Sequence, residues 1–205
     1  MKKNKISKDW LEKRKREPFF KKSRIEGFRS RSAYKLIEMN KKFKFIKNNT
    51  YLLDLGSFPG GWSQVARKII TKGKILAVDT KYMKKLEKVN FITADMNDKE
   101  VYEKIYKYFN QKIDVIISDM AADTTGSKSL DSYRTGELCL NAIDLAKKIL
   151  KKDGIFLSKV FMGSIFTDIE EKAKKYFKKV VKYKPRASKR ESKEIYIFCK
   201  NILDV

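Results

Sequence analysis

The sequence predicts an α/β protein with a doubly wound, mostly parallel sheet and an antiparallel final strand. Short apolar runs alternate with segments of helical periodicity, which is the pattern of repeated strand–helix units. The run Ile113–Ser118 is almost entirely apolar, as expected of a central parallel strand buried on both faces. The last two strand segments, 180–183 and 194–199, have no helix between them, so we expect antiparallel pairing.

The individual elements follow from the spacing of the apolar residues. Helical spacing predicts helices at 32–40, 62–71, Lys99–Phe109, 131–150 and 165–177. Apolar runs predict strands at 51–55, 74–78, Asn90–Thr93, Ile113–Ser118 and 155–160, ahead of the two final strands. Gly154 is expected to separate the fourth helix from the strand that follows it.

The first 31 residues differ in composition from the rest and predict a basic arm. Residues 1–31 carry thirteen Lys or Arg against four acids, interleaved with aromatic residues such as Trp10 and Phe19. We expect this arm to lie on RNA or to dock onto the domain; a solvated, partly helical extension is the alternative. Residues 32–205 are expected to form a single domain.

The net charge indicates a polyanionic partner. The 205 residues include 49 Lys or Arg and 25 Asp or Glu, for a formal charge of +24. Basic side chains that contact phosphates release counterions, so such a protein is expected to bind a nucleic acid. The alternative is a lysine-rich genome, which scatters lysine over any surface. Here the basic residues cluster in the arm and again between 182 and 190.

The composition also disfavours several kinds of site and location. Histidine is absent, which removes histidine bases, triads and metal ligands. Cys139 and Cys199 lie far apart in apolar runs, so we expect two buried, reduced thiols and no metal site. The sequence has no apolar stretch of membrane-spanning length and no secretory signal at its N-terminus. We therefore expect a cytoplasmic protein without a membrane partner.

The segment DLGSFPGGWSQ, residues 54–64, predicts a ligand-binding turn between a parallel strand and the following helix. Gly56 and Gly60 let a ligand approach the backbone closely, but their spacing differs from the dinucleotide fingerprint, and the turn is not a P-loop. Trp62 occupies the space that a pyrophosphate would need. The turn therefore favours S-adenosylmethionine (SAM) over NAD.

Two acids follow the next two strands at the same edge of the predicted sheet. Asp79 is placed to accept hydrogen bonds from the ribose hydroxyls of an adenosine, and Asp95 from its adenine amino group. An acid at a strand end can instead cap a helix or form a turn. The shared edge and the neighbouring glycine turn favour ligand contact for both.

Four further charged residues are candidates for acid–base chemistry. Asp119 follows the central strand, and Lys159 lies in the next strand among apolar neighbours. Lys35 is on the first predicted helix and Glu194 begins the last strand. Without histidine, a neutral lysine is the natural base for deprotonating a hydroxyl group. A buried salt bridge without catalytic function is the alternative for Lys159.

The segments RSRSAYKL, DLGSFPGGWSQ, AVD, SDMA, SKVF and KPRASKRESKEIYIF together resemble the FtsJ (RrmJ-type) ribosomal RNA large-subunit methyltransferase family over residues 29–200. The resemblance implies a Rossmann-like, SAM-dependent fold and methylation of a ribose 2′-hydroxyl in RNA. The catalytic tetrad that it implies is Lys35, Asp119, Lys159 and Glu194, with Lys159 as the base. The SAM contacts that it implies are Gly60, Trp62, Asp79, Asp95 and Asp119.

The bacterial members modify a uridine of 23S ribosomal RNA in the large subunit, and the likeness favours a monomer. Two departures concern the site: Ser57 and Phe58 replace two small residues, and Ala122 and Asp123 replace a Pro-Asn pair near the expected substrate entrance. The alternatives are methylation of tRNA or another RNA, and a non-catalytic role in ribosome assembly. An NAD-dependent oxidoreductase is disfavoured by the glycine spacing and the positive charge.

Overall fold

The computed structural model describes residues 18–189 and 191–203, apart from the side chain of Lys99. Seven strands form one sheet: β1 Leu52–Leu55, β2 Ile75–Asp79, β3 Asn90–Thr93, β4 Ile113–Ser118, β5 Leu150–Phe161, β6 Phe177–Tyr183 and β7 Glu194–Ile202. Strands β1 to β5 run parallel, whereas β7 pairs antiparallel with both β5 and β6. The predicted fold class is therefore confirmed.

The strand order is β3-β2-β1-β4-β5-β7-β6. It reverses between β1 and β4, because β2 and β3 extend the sheet on one side and β5 on the other. In open sheets of this kind, ligands bind beyond the carboxyl ends of the strands where the order reverses. The ends of β1 and β4 are thus the expected position of the site.

Six helices in the described residues cover the two faces of the sheet. They are α1 Pro18–Ile25, α2 Ala33–Phe43, α3 Gly61–Ile69, α4 Lys99–Phe109, α5 Lys128–Ile149 and α6 Phe166–Tyr176. On one face, Leu36 of α2 packs in an apolar cluster with Leu52 of β1. On the other face, Ile105 of α4 and Ile143 of α5 pack in a second cluster with Leu53. Alternate residues of β1 therefore serve opposite layers.

The bounds of several elements differ from those predicted. Helix α5 begins at Lys128, three residues early, and β5 follows it directly from Leu150. Gly154 lies within β5 instead of before it, where a Cβ atom would lie 2.7 Å from the carbonyl oxygen of Lys151. Strand β6 begins three residues earlier and β7 ends three residues later than predicted, because the two strands pair along most of their length.

The described part of the basic arm packs on the domain. Helix α1 begins with a proline, whose fixed φ suits the first helical position. Phe28 is buried, and the backbone N–H of Arg29 donates to Gln64 Oε1 at 2.7 Å. The guanidinium of Arg29 donates to the carbonyl oxygens of Lys84 and Lys85. Residues 1–17, which carry eight of the thirteen basic residues of the arm, lie outside the described residues, as does Arg190.

Both thiols are buried and unpaired. Burial raises the pKa of Cys139 to about 12 and that of Cys199 well above its ordinary value. The thiols are therefore protonated at neutral pH and poor nucleophiles. Within residues 18–189 and 191–203, no helix combines the length and apolar character that crossing a membrane requires. The same described residues contain no cluster of three acidic or thiol side chains that could hold a metal ion.

Candidate active site

A cavity of about 680 Å³ opens at the carboxyl ends of the parallel strands. Its wall includes Gly56 after β1, Asp79 at the end of β2, Asp95 after β3 and Asp119 after β4. The structure thus brings four of the candidate cofactor-binding residues together at the point where the strand order reverses. The position agrees with the general rule for open α/β sheets.

Acidic side chains dominate the charge of this cavity. Five carboxylates line it against two cations, Lys81 and Arg134. Asp79 accepts hydrogen bonds from the backbone N–H groups of Phe58 at 2.9 Å and Lys81 at 2.8 Å. Asp95 accepts one from a main-chain N–H two residues further on, at 2.9 Å. The wall therefore carries a fixed negative charge, which attracts a cationic ligand and disfavours a pyrophosphate.

Gly56 brings the ends of β1 and β4 into close contact. Its φ of 70° lies in the left-handed region that favours glycine. A Cβ atom at this position would lie 2.7 Å from both the backbone nitrogen and the Cα atom of Met120. Only a residue without a side chain therefore lets the backbone after β1 come this close to the backbone after β4 at the wall of the cavity.

Gly60 and Trp62, the remaining candidate SAM contacts, lie outside the cavity wall. Helix α3 begins between them, and the indole N–H of Trp62 donates to the carbonyl oxygen of Ser32 at 2.9 Å. A Cβ atom on Gly60 would lie 2.8 Å from a guanidinium nitrogen of Arg29. In this structure Trp62 packs within the domain, and the absence of a side chain at Gly60 makes room for Arg29. The contact of either residue with SAM stays a prediction.

Buried Lys159 and half-buried Asp119 form a pair beside the cavity. Lys159 is only 8% exposed, and its Nζ lies 2.5 Å from the backbone carbonyl oxygen of Asp119. The same Nζ lies 3.2 Å from Oδ1 of the Asp119 carboxylate. Because Asp119 also lines the cavity, one residue connects the lysine to the ligand site.

Tyr196, which the sequence analysis did not single out, extends this pair. It stands opposite Lys159 in the antiparallel register of β5 and β7, and its hydroxyl donates to Asp119 Oδ1 at 2.9 Å. Its ring packs against Trp62 with the centroids 5.8 Å apart. A signal for it exists in the sequence: in KEIYIF, Tyr196 is two residues from Glu194, which places both side chains on one face of a strand.

Lys35 and Glu194 form a second pair on the other side of Tyr196. The Nζ of Lys35 lies 2.7 and 2.8 Å from the two carboxylate oxygens of Glu194. It also lies 5.7 Å from the centre of the Tyr196 ring. Ser188 donates its hydroxyl to Glu194 Oε1 at 2.7 Å. The structure thus unites all four predicted catalytic residues in one cluster around Tyr196.

The cluster keeps Asp119 ionised. Burial by itself raises the pKa of this carboxyl, but the ammonium groups of Lys159 and Lys35 and the Tyr196 hydroxyl outweigh it, and the pKa lies below its usual value. Tyr196 behaves in the opposite way, because burial and the nearby Asp119 carboxylate hold the pKa of its phenol well above 10. At neutral pH the protonated phenol of Tyr196 therefore donates the hydrogen bond, and the ionised carboxylate of Asp119 accepts it.

Asp54 of β1 is a buried acid behind the cavity. The Ser63 hydroxyl donates to its Oδ2 at 2.6 Å, whereas Oδ1 has no hydrogen-bond partner among the described residues. Burial raises the pKa of this carboxyl to about 7. The hydrogen bond from Ser63 opposes this shift, and the carboxylates of Asp119 and Asp79 add smaller increases. Asp54 is therefore protonated below neutral pH and ionises as the pH rises through 7.

Replacing Asp54 by asparagine is expected to stabilise the protein more at pH 8 than at pH 5. The folded-state pKa lies above the unfolded value of 3.8, so the neutral carboxyl stabilises the fold fully below pH 4 and loses this contribution as the pH rises through 7. Asparagine does not titrate. The free energy of unfolding of the variant, relative to that of the unmodified protein, should therefore rise by roughly 3 kcal/mol from pH 5 to pH 8. Urea unfolding of both proteins at the two pH values measures this change. A stability difference that does not depend on pH would contradict the raised pKa of Asp54.

Glu38 of α2 ties the loop between β6 and β7 to the body of the domain. Its carboxylate accepts hydrogen bonds from the Tyr183 hydroxyl at 2.7 Å and from the backbone N–H groups of Arg186 and Ala187 at 3.0 and 3.3 Å. The hydrogen bond to Glu38, together with burial, raises the pKa of Tyr183 to about 12. This loop also carries Ser188, which orients Glu194. No local pattern reveals Glu38, since its partners lie about 145 residues further along the chain.

Because the family resemblance implies methyl transfer from SAM to RNA, replacing Glu38 by glutamine is expected to weaken RNA binding and methyl transfer about tenfold while leaving the affinity for SAM unchanged. The amide loses the charge that strengthens three hydrogen bonds to the loop, and each such bond contributes about 1.5–3 kcal/mol. Tyr183→Phe removes only one of the three donors and should cost less. Calorimetry with SAM and filter binding with RNA separate the effects; an equal loss of SAM affinity would show general destabilisation instead.

Comparison with known proteins agrees with this geometry. The sequence profile of the FtsJ-like methyltransferase family matches residues 28–202. A protein of Pelagibacter ubique (strain HTCC1062), named ribosomal RNA large subunit methyltransferase E, is 46% identical over 200 residues, which are 98% of either chain. A protein of the same name from Rickettsia akari (strain Hartford) is 41% identical over 94% of this chain and 88% of its own.

Solved structures show the same fold. A ribosomal RNA methyltransferase from Plasmodium falciparum is 33% identical with a TM-score of 0.77, covering 86% of this chain and 99% of its own. Fibrillarin of Aeropyrum pernix, crystallised with natively bound SAM, is 15% identical with a TM-score of 0.57, covering 82% and 76%. At that identity the second likeness concerns the fold alone. With the family profile matched over nearly all of the described residues, the chain belongs to the FtsJ-like methyltransferase family.

Proposed function

We propose that the chain transfers the methyl group of SAM to a ribose 2′-hydroxyl of ribosomal RNA, namely of a uridine in the 23S RNA of the large subunit. The position of Asp119 carries the proposal, because this residue lines the acidic cavity and holds the Lys159 amine through two of its oxygens. The names of the bacterial relatives support ribosomal RNA as the substrate. The choice of a uridine 2′-hydroxyl rests on the family resemblance.

The residues of the cavity fit SAM. When bound, SAM supplies a methyl group on a positively charged sulfur, and its net charge is positive because one carboxylate opposes the sulfonium and an ammonium. Five carboxylates against two cations complement that charge. Asp79 would hold the ribose hydroxyls and Asp95 the adenine amino group, with both carboxylates already oriented by main-chain N–H groups. A pyrophosphate would meet repulsion from the same wall.

The four-residue cluster supplies the proton acceptor. A ribose hydroxyl becomes a good nucleophile only as it loses its proton, and we assign this proton to the amine of Lys159 after its ammonium group has released a proton to solvent. The Asp119 carboxylate then stabilises the ammonium that forms, at the observed 3.2 Å. Tyr196 keeps that carboxylate in place through its hydroxyl. Lys35, which Glu194 holds in place, adds a further positive charge near Asp119.

Basic residues around this cluster are suited to hold the RNA. Arg186 and Lys189 are exposed on the loop that carries Ser188, and Arg31 donates to the carbonyl oxygen of Ala187 at 3.2 Å. We propose that these residues contact phosphates next to the target ribose, together with the basic arm of residues 1–31. Residues 32–205 would then act as one catalytic domain, working as a monomer in the cytoplasm, where large subunits are assembled.

Methyl transfer to defined RNAs tests the proposal. The purified chain and tritiated SAM are incubated with large ribosomal subunits from a strain that lacks this protein, and in parallel with small subunits and tRNA. We expect label only in the large-subunit RNA. We also expect the labelled linkage to resist alkali, because a 2′-O-methyl group removes the hydroxyl that attacks the phosphodiester.

The same experiment separates the alternatives. Label in tRNA but not in large subunits would favour a different RNA substrate. Cleavage by alkali of the phosphodiester next to the labelled nucleotide would indicate methylation of a base. Binding of large subunits without any transfer would favour a non-catalytic role in ribosome assembly. Each of these outcomes contradicts the proposed reaction.

A further inference from the structure

A second cavity lies at the opposite edge of the sheet from the candidate active site. Its volume is about 790 Å³, and its wall includes residues at the amino ends of β1, β4 and the parallel part of β5, as well as residues of β6 and β7. Seven lysines and two aspartates line it. We call this surface the lysine groove and define it by five of its six exposed lysines, Lys44, Lys47, Lys72, Lys179 and Lys200.

The charge of the lysine groove is not a uniform consequence of the lysine content of the chain. The first cavity, in the same domain, has five carboxylates against two cations. The lysine groove reverses this balance, with seven cations against two carboxylates. Random surface lysine would make both cavities basic, so the positive charge is concentrated at one edge of the sheet.

The five lysines that define the groove are available to a ligand. Of its two acids, Asp114 is already engaged, since it accepts hydrogen bonds from Lys151 Nζ at 2.6 Å and from the backbone N–H of Tyr51 at 2.7 Å. The five lysines that define the groove are exposed, and none of them forms an ion pair with a carboxylate of residues 18–189 or 191–203. Unpaired ammonium groups around one concave surface are suited to several phosphates at once.

The aromatic residues of the groove are packed against one another. Phe43 stacks on Phe198 with the ring centroids 4.2 Å apart and the planes at 10°, and Phe45 meets Phe198 edge-on at 5.7 Å. Phe45 and Phe198 are buried. Their faces therefore do not serve as platforms for bases, and the groove offers charge without a means of reading the base sequence.

We propose that the lysine groove is a second docking surface for the phosphate backbone of the RNA substrate, separate from the active site. The identity of the ligand as RNA rests on the proposed function. Strand β4 has six residues and spans about 20 Å between the two cavities, so a substrate that reaches both must be a folded RNA of some size. Contacts that read only phosphates fit a target selected by shape, as in a ribosomal subunit.

Matched triple variants test this proposal. The groove variant Lys47→Gln, Lys72→Gln, Lys179→Gln removes three exposed charges from the groove. The control variant Lys107→Gln, Lys148→Gln, Lys175→Gln removes three exposed lysines that lie away from the groove, one each on helices α4, α5 and α6. Both lower the net charge equally. Binding of large-subunit RNA is measured by filter binding between 50 and 300 mM salt, and thermal melting checks the fold of each variant.

We expect the groove variant to lose about tenfold in RNA affinity at 0.1 M salt, with the slope of log K against log salt reduced by about 2. The control variant should lose less than threefold. Equal losses in the two variants, or unchanged binding by the groove variant, would overturn the proposal. If the triple variant fails to fold, Lys72→Gln against Lys107→Gln gives the same comparison, with a slope change of about 1 expected for the groove residue only.

The outcome is independent of the proposed reaction. Methyl transfer by the unmodified protein is measured in parallel on the same RNA. If it transfers no methyl group but the groove variant alone loses RNA affinity, the proposed function fails and the docking surface stands. If the unmodified protein transfers methyl groups and the two triple variants bind RNA equally well, the proposed function stands and the docking surface is ruled out.

Discussion

Replacing Lys159 by methionine is expected to lower the rate constant of methyl transfer by about a thousandfold. Methionine keeps the length of the side chain but removes the amine that lies 2.5 Å from the carbonyl oxygen of Asp119. General-base catalysis contributes about 10²–10⁴-fold, or roughly 4 kcal/mol at the middle of that range. Single-turnover transfer of tritium from SAM to large-subunit RNA measures the loss, and SAM affinity should change less than threefold.

A second variant distinguishes proton transfer from charge. Lys159→Met leaves the half-buried Asp119 carboxylate without its nearest cation, which can destabilise the fold. Lys159→Arg keeps a positive charge there but cannot accept a proton, because the guanidinium is not deprotonated in proteins. We expect this variant to be as inactive as the methionine variant. Recovery of more than a tenth of the activity with arginine would show that the charge alone suffices.

Replacing Gly56 by alanine is expected to abolish SAM binding at micromolar concentrations and to lower the melting temperature by about 10 °C. The added Cβ would lie 2.7 Å from two backbone atoms of Met120, and neither atom can move without shifting the end of β4 that carries Asp119. A left-handed φ adds about 1–2 kcal/mol of strain for alanine, and the overlap adds about 1–3 kcal/mol. Together these costs correspond to a shift of that size for a chain of this length.

Gly27 provides the matched control. It has the same φ of 70°, but a Cβ atom there would have nothing within 4 Å. Gly27→Ala should therefore show only the strain of the left-handed backbone, with a small change in melting temperature and normal SAM affinity. Isothermal calorimetry and thermal melting of the two variants separate strain from overlap. Equal SAM affinities would mean that the contact between Gly56 and Met120 does not shape the cofactor site.

The positions of the site residues along the sheet could be predicted because they follow from topology. Gly56, Asp79, Asp95 and Asp119 each come directly at or after the end of a parallel strand, and such ends meet at one edge. The confirmed resemblance to the FtsJ family is what joined Lys35 and Glu194 to Asp119 and Lys159 in one tetrad, because in the sequence alone these two residues look like ordinary surface charges. Their contact at 2.7 Å depends on residues 159 positions apart.

Other features depend on tertiary register and were not predictable from a single sequence. Tyr196 reaches Asp119 because β7 pairs with β5 in one antiparallel register, and a shift by one residue would turn its side chain to the other face. Glu38 meets its partners only after the whole sheet has formed. The lysine groove likewise combines residues from six separate segments, so the clustering that the sequence shows in the arm and the 182–190 loop does not reveal it.

Asp119 performs two tasks with one set of atoms, since its carboxylate and carbonyl hold the lysine while the residue also walls the cavity. An evolutionary consequence follows. A substitution at this position would disturb the position of the lysine and the wall of the cavity simultaneously. A second substitution that repaired only one of these two defects would leave the other in place, so we expect position 119 to tolerate little variation while both are needed.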